Sequence, residues 1–221
     1  MHNDATGARC PPRHSLISRS DKGLRYNSAE RWRKAMPAEP ARKSISEAEY
    51  LALEERSEER HEFFDGQVFA MAGASIRHNQ IVLNTAIALR AHKSPCRVTV
   101  SDVKFKRNSR TLYPDLMVSC EPVADTHIET KPCLIVEVLS PTTEAFDRGE
   151  KMHTYLATPE LEAYLMVSQS ERRVDVLRRA GAFWHFTSVT EGSIEVPCSR
   201  GALTLDEIYA DIEFNNSVAP E

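Results

Sequence analysis

Two apolar runs, each interrupted by a single carboxylate, constrain this chain more than any other feature. Tyr113-Pro-Asp-Leu-Met-Val-Ser119 sets Asp115 among strand-forming residues, and Cys133-Leu-Ile-Val-Glu-Val-Leu-Ser-Pro141 does the same for Glu137. Both read as short buried strands bounded by turn residues. Burying an unpaired carboxylate costs several kcal/mol or keeps it protonated, unless a cation, a metal or a dense hydrogen-bond shell compensates it. Two readings follow: the acids lie on a solvated strand face, or they converge as the raw material of a divalent-metal site.

A length of 221 residues with 41% hydrophobic and 27% charged content suits one soluble domain with a full core. The net charge of −4 conceals a division along the chain. Residues 1–43 carry ten Lys/Arg against four Asp/Glu, a balance of +6, which leaves −10 on the remainder. An acidic body weighs against gripping a polyanion through its average field, although a local basic patch stays open. The five cysteines, Cys10, Cys96, Cys120, Cys133 and Cys198, have wide irregular spacing and no C-x-x-C. On spacing they indicate neither a structural zinc site nor a disulfide framework, and Cys120 and Cys133 read as small core residues. Without a run of about eighteen apolar residues or an apolar signal core, the expectation is no membrane span and a reduced, cytoplasmic location.

Residues 1–43 are polar, basic and broken by Pro11, Pro12, Pro37 and Pro40, and read as a disordered extension. Met36 falls just before the first convincing element, which an upstream start or a dispensable arm would account for. Order begins with a capping box, Ser46-x-x-Glu49, opening a helix through Tyr50, Leu51 and Leu53. Asp65-Gly66 predicts the turn of a hairpin, and Ser75 to about His92 a long helix with Ile76, Leu83, Ala86, Ile87 and Arg90 on one mainly apolar face. Strands are predicted at 97–100, 103–106, 112–119, 133–139, 163–168, 173–177, 183–189 and 194–196. A second helix covers 147–158, and a helical turn lies near 205–209. This order implies an α/β fold with helices packed on a central sheet.

Pro114-Asp115 followed by an apolar strand carrying Glu137 resembles the PD-(D/E)XK nuclease superfamily. More narrowly, four pieces are similar to the Uma-two family of restriction-endonuclease-like proteins: Tyr113-Pro-Asp-Leu-Met-Val, Val136-Glu-Val-Leu-Ser-Pro141, Asp147-Arg-Gly-Glu-Lys151, and the Asp65-Gly66 hairpin followed by Met71-Ala-Gly-Ala-Ser75. The similarity runs from about Ile45 to Phe214. It implies a single domain over residues 44–221 with a restriction-endonuclease-like core, a mixed central β-sheet flanked by helices.

By that resemblance Asp115 and Glu137 are metal ligands for Mg²⁺, with Mn²⁺ as an alternative, and Glu62 is an additional acid near the metal. Such a metal polarises a phosphodiester and activates water. The superfamily places lysine two residues after the glutamate, where this chain has Leu139; Lys151 is the expected replacement. His78 matches a family position near the start of the long helix, with roles in substrate contact, proton transfer or capping left open. Each has a plainer reading: Lys151 as a solvated helix lysine, Glu62 as a salt-bridged hairpin residue. Asp147 and Arg148 read as a helix-start cap and ion pair, and Lys104 and Lys106 as a solvated edge-strand face.

The implied activity is metal-dependent endonucleolytic hydrolysis of phosphodiesters, with DNA favoured over RNA but both left open, and with the oligomeric state open although many superfamily members work as dimers. The competing reading is a catalytically inactive module of the same fold that binds nucleic acid or protein.

Overall fold

The computed structural model describes residues 44–199 and 201–214; the sequence readings for residues 1–43 lie outside them. Helix α1 (Glu47–Glu54) starts as its capping box dictates, Ser46 Oγ accepting from the Glu49 amide while the Glu49 carboxylate accepts from Ser46 N. Strands β1 (His61–Phe64) and β2 (Gln67–Ala70) form the hairpin, with Asp65 at φ 48° and Gly66 at φ 92° in the turn. Helix α2 (Ile76–Ala91) is capped by Ser75 Oγ, which accepts from the His78 amide.

Next come β3 (Arg97–Val100), β4 (Lys104–Arg107), β5 (Arg110–Leu112), β6 (Leu116–Ser119), β7 (Ile128–Glu129) and β8 (Leu134–Leu139). After β8, a short helix α3 (Glu144–Phe146), a π-helical turn (Asp147–Lys151) and α4 (Met152–Leu156) run on without a break. The chain finishes with β9 (Ala163–Ser168), β10 (Val174–Ala180), β11 (Phe183–Val189), β12 (Ser193–Val196), a 3₁₀ turn (Pro197–Ser199), β13 (Gly201–Thr204) and α5 (Leu205–Ile208).

These strands form a mixed six-stranded sheet ordered β11-β10-β9-β8-β6-β3, a five-stranded sheet ordered β2-β1-β5-β4-β7, and the β12–β13 hairpin. Every residue of β6, β8 and β9 is buried, so their continuous apolar runs are covered on both faces. Alternation divides them between two cores. Leu134, Val136 and Val138 of β8 pack with Ile81 and Leu89 of α2 and with β12, β13 and α5. Ile135 and Leu139 face Phe105, Leu112, Tyr155 and Tyr164 on the other side. The molecule is thus mixed α/β, with helices and a second sheet packed on the larger one.

Several expectations need correction. Residues 112–119 are not one strand: β5 and β6 belong to different sheets, and Tyr113-Pro114-Asp115 carries the chain from one to the other. Pro114 lacks the N–H that a continuous ladder would require. On α2, the buried residues are Ile81, Val82, Thr85, Ala88 and Leu89, whereas Ile76, Leu83 and Ile87 are exposed. The two stripes have the same helical spacing, and only tertiary packing selects between them. The second helix starts at Glu144 and contains the π turn. Lys104 and Lys106 are not on an edge, since β4 lies between β5 and β7; Lys106 pairs with Glu47, and Lys104 stands over the Tyr113 ring.

The cysteine reading is also overturned. Cys96 is bonded to Cys120, and Cys133 to Cys198. Wide spacing in sequence carries no information about distance once β3 and β6 pair in register, Arg97 opposite Ser119, and bring the flanking cysteines face to face.

Gly66 shows how tightly the hairpin turn is specified. Its positive φ is one that side chains rarely adopt, and an added Cβ would run into Ser44 Oγ. Gly66→Ala is expected to lose about 1–3 kcal/mol of stability by urea denaturation; an unchanged midpoint would show that the turn relaxes freely.

Candidate active site

The acids meet where β6 and β8 part. Leu116 pairs with Val136, so the next rung would join Asp115 to Glu137. Instead of continuing the ladder, the two residues exchange side chains for backbone: Asp115 N donates to Glu137 Oε2 at 3.2 Å, and Val138 N donates to Asp115 Oδ2 at 2.7 Å. Backbone N–H groups released by the split need acceptors, and the carboxylates supply them. Asp115 keeps partial access to solvent, its side chain 18% exposed, while Glu137 is only 2% exposed.

Lys151 reaches Glu137 from the π turn. Its Nζ lies 2.9 Å from Glu62 Oε1, 3.2 Å from Glu137 Oε1 and 3.3 Å from Asp147 Oδ1, and the residue is 5% exposed. Glu137 and Leu139 share a strand face, so a lysine at position 139 would have pointed the same way. Leu139 instead fills the core beside Ile135 and Met166, and the ammonium arrives from the turn. π turns interrupt helices most often at functional sites.

Glu62 on β1 is held by the Tyr113 amide, which donates to Oε1 at 3.2 Å. A second layer fixes that segment: Tyr113 Oη donates to Glu54 Oε1 at 2.6 Å, and Glu54 also accepts from the His61 amide. His78 approaches from the N-terminus of α2, its Nε2 3.1 Å from Asp115 Oδ2. The helix start is tied to the end of β8 through Gln169, which accepts from Ser75 Oγ and donates to the Leu139 carbonyl.

All five residues singled out in the sequence are therefore brought together: Asp115, Glu137, Lys151, Glu62 and His78. Two further groups were missed. Tyr155 Oη donates to Glu137 Oε1 at 2.7 Å, and Asp147, read as a helix cap, is buried with its carboxylate beside Lys151. The four-residue interval between Asp147 and Lys151 was a usable signal, since residues four apart share a helix face. Arg148 points elsewhere, to Glu144 at 2.7 Å and Asp175 at 2.8 Å.

The electrostatics are unbalanced. One ammonium serves three buried carboxylates, with Asp115 close behind. Burial pushes the Glu137 carboxyl well above its ordinary range; Lys151 opposes this, while Asp115, Asp147 and Glu62 add to it. Glu62 and Asp147 are raised by burial for the same reason. Burial works against the Lys151 ammonium, but Glu137, Glu62 and Asp147 outweigh it and raise its pKa well above the usual value. His78 is raised as well, burial opposing and Asp115 prevailing.

A divalent metal suits this donor set. Hard carboxylate oxygens predominate, and a dication would neutralise charge that the single lysine leaves over. Two buried atoms of this cluster, Asp147 Oδ1 and His78 Nδ1, lack hydrogen-bond partners, although Asp147 Oδ1 keeps its ion pair with Lys151. The acids do not form a closed cage: among the described residues, the one trio of His, Cys, Asp or Glu with all ligand atoms within 4.8 Å is Cys120, Cys133 and Cys198. The Lys151 ammonium lies among the inner acids, and Asp115, the solvent-reaching member, with Glu137 is the pair that would hold a metal.

These shifts fix the sign of a pH effect on the metal-free protein. A carboxyl with folded pKa above its unfolded value stabilises while protonated, and that contribution is lost as pH rises through the folded pKa. Glu137, Glu62, Asp147 and His78 all act in this direction. The unfolding temperature in chelator is expected to fall from about pH 5 to pH 8, and Glu137→Gln to flatten the decline. A wild-type stability that rises over that range would contradict the raised carboxyl pKa values.

Known proteins agree with this architecture. The family model described as "Putative restriction endonuclease", Uma2, matches residues 47–206. The Synechocystis sp. protein slr1290 is 41% identical over 178 residues, covering 77% of this chain and 94% of that one. The protein sll1609 of the same organism is 32% identical over 166 residues, covering 71% and 94%. Among solved structures, the crystal structure titled as a "putative nuclease belonging to DUF820" from Anabaena variabilis superposes with a TM-score of 0.62 at 16% identity, covering 74% of this chain and 97% of that one, which establishes a shared fold. On the extent of the family match and of both relatives, the chain belongs to the Uma2 family of restriction-endonuclease-type proteins.

Proposed function

We propose that the chain is a metal-dependent endonuclease that hydrolyses phosphodiester bonds in DNA. The observation that carries this reading is the Lys151 ammonium, which stands 3.2 Å from Glu137 although the strand position that would supply a lysine is Leu139. Family membership supports nuclease chemistry in general; metal and substrate are the finer part of the proposal.

Asp115 and Glu137 would hold Mg²⁺ or Mn²⁺, with Glu62 as an outer acid. When bound, the metal would polarise the scissile phosphate and offset its charge. Lys151 orients an attacking water and, as a cation, offsets negative charge building on the phosphorane. Tyr155 and the Asp115 amide hold the Glu137 carboxylate in one orientation, leaving it little freedom to reorganise. His78, hydrogen-bonded to Asp115 and with one ring nitrogen free of protein partners, is placed to touch substrate or pass a proton. The near-complete enclosure of Lys151 favours a second reading, a nuclease-fold module that binds nucleic acid without cutting it.

Cleavage of a panel of DNA and RNA substrates with Mg²⁺ or Mn²⁺ tests both. Asp115→Asn, at the partly exposed acid, is expected to lower the rate by about 10²–10⁴ while leaving the fold intact by circular dichroism. Lys151→Met should abolish cleavage and also cost about 3–5 kcal/mol, because it leaves buried carboxylates unpaired. Substrate binding by the wild type without cleavage under either metal would establish the module instead, and cleavage of RNA alone would overturn the DNA assignment.

A further inference from the structure

The four cysteines of the domain gather at the end of the larger sheet away from the acids. Cys96 precedes β3, Cys120 follows β6, Cys133 precedes β8, and Cys198 lies in the 3₁₀ turn between β12 and β13. Their two bonds do not separate into two staples. Cys120 Sγ, bonded to Cys96, is 3.6 Å from Cys133 Sγ, and the sulfurs of Cys120, Cys133 and Cys198 all lie within 4.8 Å of one another. Cys96 Sγ and Cys120 Sγ also both point at the Cys198 carbonyl, at 3.3 and 3.8 Å. Four sulfurs from four segments thus form one cluster.

We infer that, with its cysteines reduced, this cluster is a tetrathiolate Zn²⁺ site of structural type, and that the two disulfides are its oxidised, metal-free form. In a tetrahedral ZnS₄ centre with Zn–S of about 2.3 Å, neighbouring sulfurs stand about 3.8 Å apart, close to the 3.6 Å between Cys120 and Cys133. Soft thiolates favour zinc over the hard cations that suit the acids. The ligands are carried on well-fixed backbone: three of them follow a proline, Pro95, Pro132 and Pro197, and the Cys133 amide donates to the Val118 carbonyl at 2.8 Å. Arg90 and Lys93 line a cavity together with Cys96 and supply positive charge near sulfurs that must ionise.

The balance between the forms is simple. Two equivalents of a dithiol, each oxidised to its own disulfide, deliver four electrons and four protons and convert the two S–S bonds into four thiols. Zn²⁺ then replaces the four thiol protons, which leave to solvent. All four protein positions are ligands, so no position is open for catalysis and the site is structural. Cys133 is four residues from Glu137 along β8, roughly 13 Å at strand rise, so the cluster is separate from the acid site.

Zinc content and thiol reactivity of the full chain purified in a phosphine reductant provide the test. One zinc per chain is expected by elemental analysis, unchanged in Asp115→Asn and reduced at least tenfold in Cys120→Ser and Cys198→Ser. Because a serine variant could misfold, the wild type gives an independent measure. Titration with a mercurial should release its zinc in step with modification of four thiols, and Co²⁺ exchange should produce the intense visible bands of tetrahedral thiolate coordination. Zinc-free reduced protein in excess Zn²⁺ with all five thiols freely reactive, the four of the cluster as well as Cys10, would overturn the inference. So would zinc lost in Asp115→Asn but retained in the cysteine variants, or disulfides that re-form under reductant while zinc is present.

Discussion

The structure around the acids depends on one buried ammonium. Lys151 links β1 through Glu62, β8 through Glu137 and its own turn through Asp147, and so joins the smaller sheet, the larger sheet and the π turn at a single point. As a stabilising device it is poor, because desolvating several charges costs about as much as their attraction returns. Its value lies in placement. Three carboxylates around one cation remain short of positive charge, and burial raises the pKa of each of the three acids. Lys151 is the pin that holds the three acids, and its single charge leaves theirs incompletely balanced.

The same economy governs the parting of β6 and β8. A strand pair that opens inside a core leaves amide hydrogens without acceptors, and each such loss costs about 1–3 kcal/mol. Asp115 and Glu137 prevent this by accepting from each other's strand, at Val138 N and Asp115 N. The two acids are therefore part of the fold as well as of the site. The gap in the ladder allows Asp115 to approach solvent, and the exchanged hydrogen bonds hold the gap open at a fixed width.

Local chemistry made much of this legible in the sequence. The Ser46 capping box, the Asp65-Gly66 turn and the β8 and β9 runs depend on neighbouring residues alone, and they stand where their patterns put them. Asp115 and Glu137 could be found because a charge in an apolar run is conspicuous. What escaped depends on the third dimension. The buried stripe of α2 has the same period as the exposed one, Tyr155 looks like any apolar-helix tyrosine until its hydroxyl is seen on Glu137, and Asp147 looks like a cap. The cysteines are the clearest case: intervals of 24 and 65 residues hide neighbours that strand register brings into bonding contact.

Moving the lysine from strand to turn changes what controls the site. A lysine at position 139 would be fixed by the β8 backbone, with its orientation settled by the sheet. Lys151 is placed instead by how the segment from α3 to α4 docks. That docking runs through Tyr164, whose hydroxyl donates to the Asp147 carbonyl, and through Arg110, which donates to Thr154 Oγ1 at 2.7 Å while pairing with Asp65 in the hairpin turn. Thr154 in turn donates to the Glu150 carbonyl, one residue before the lysine. The β1–β2 hairpin therefore serves the acids twice, by presenting Glu62 directly and by bracing, through Asp65 and Arg110, the turn that presents Lys151. A fold that gives up the strand lysine keeps its geometry by making the smaller sheet part of the site.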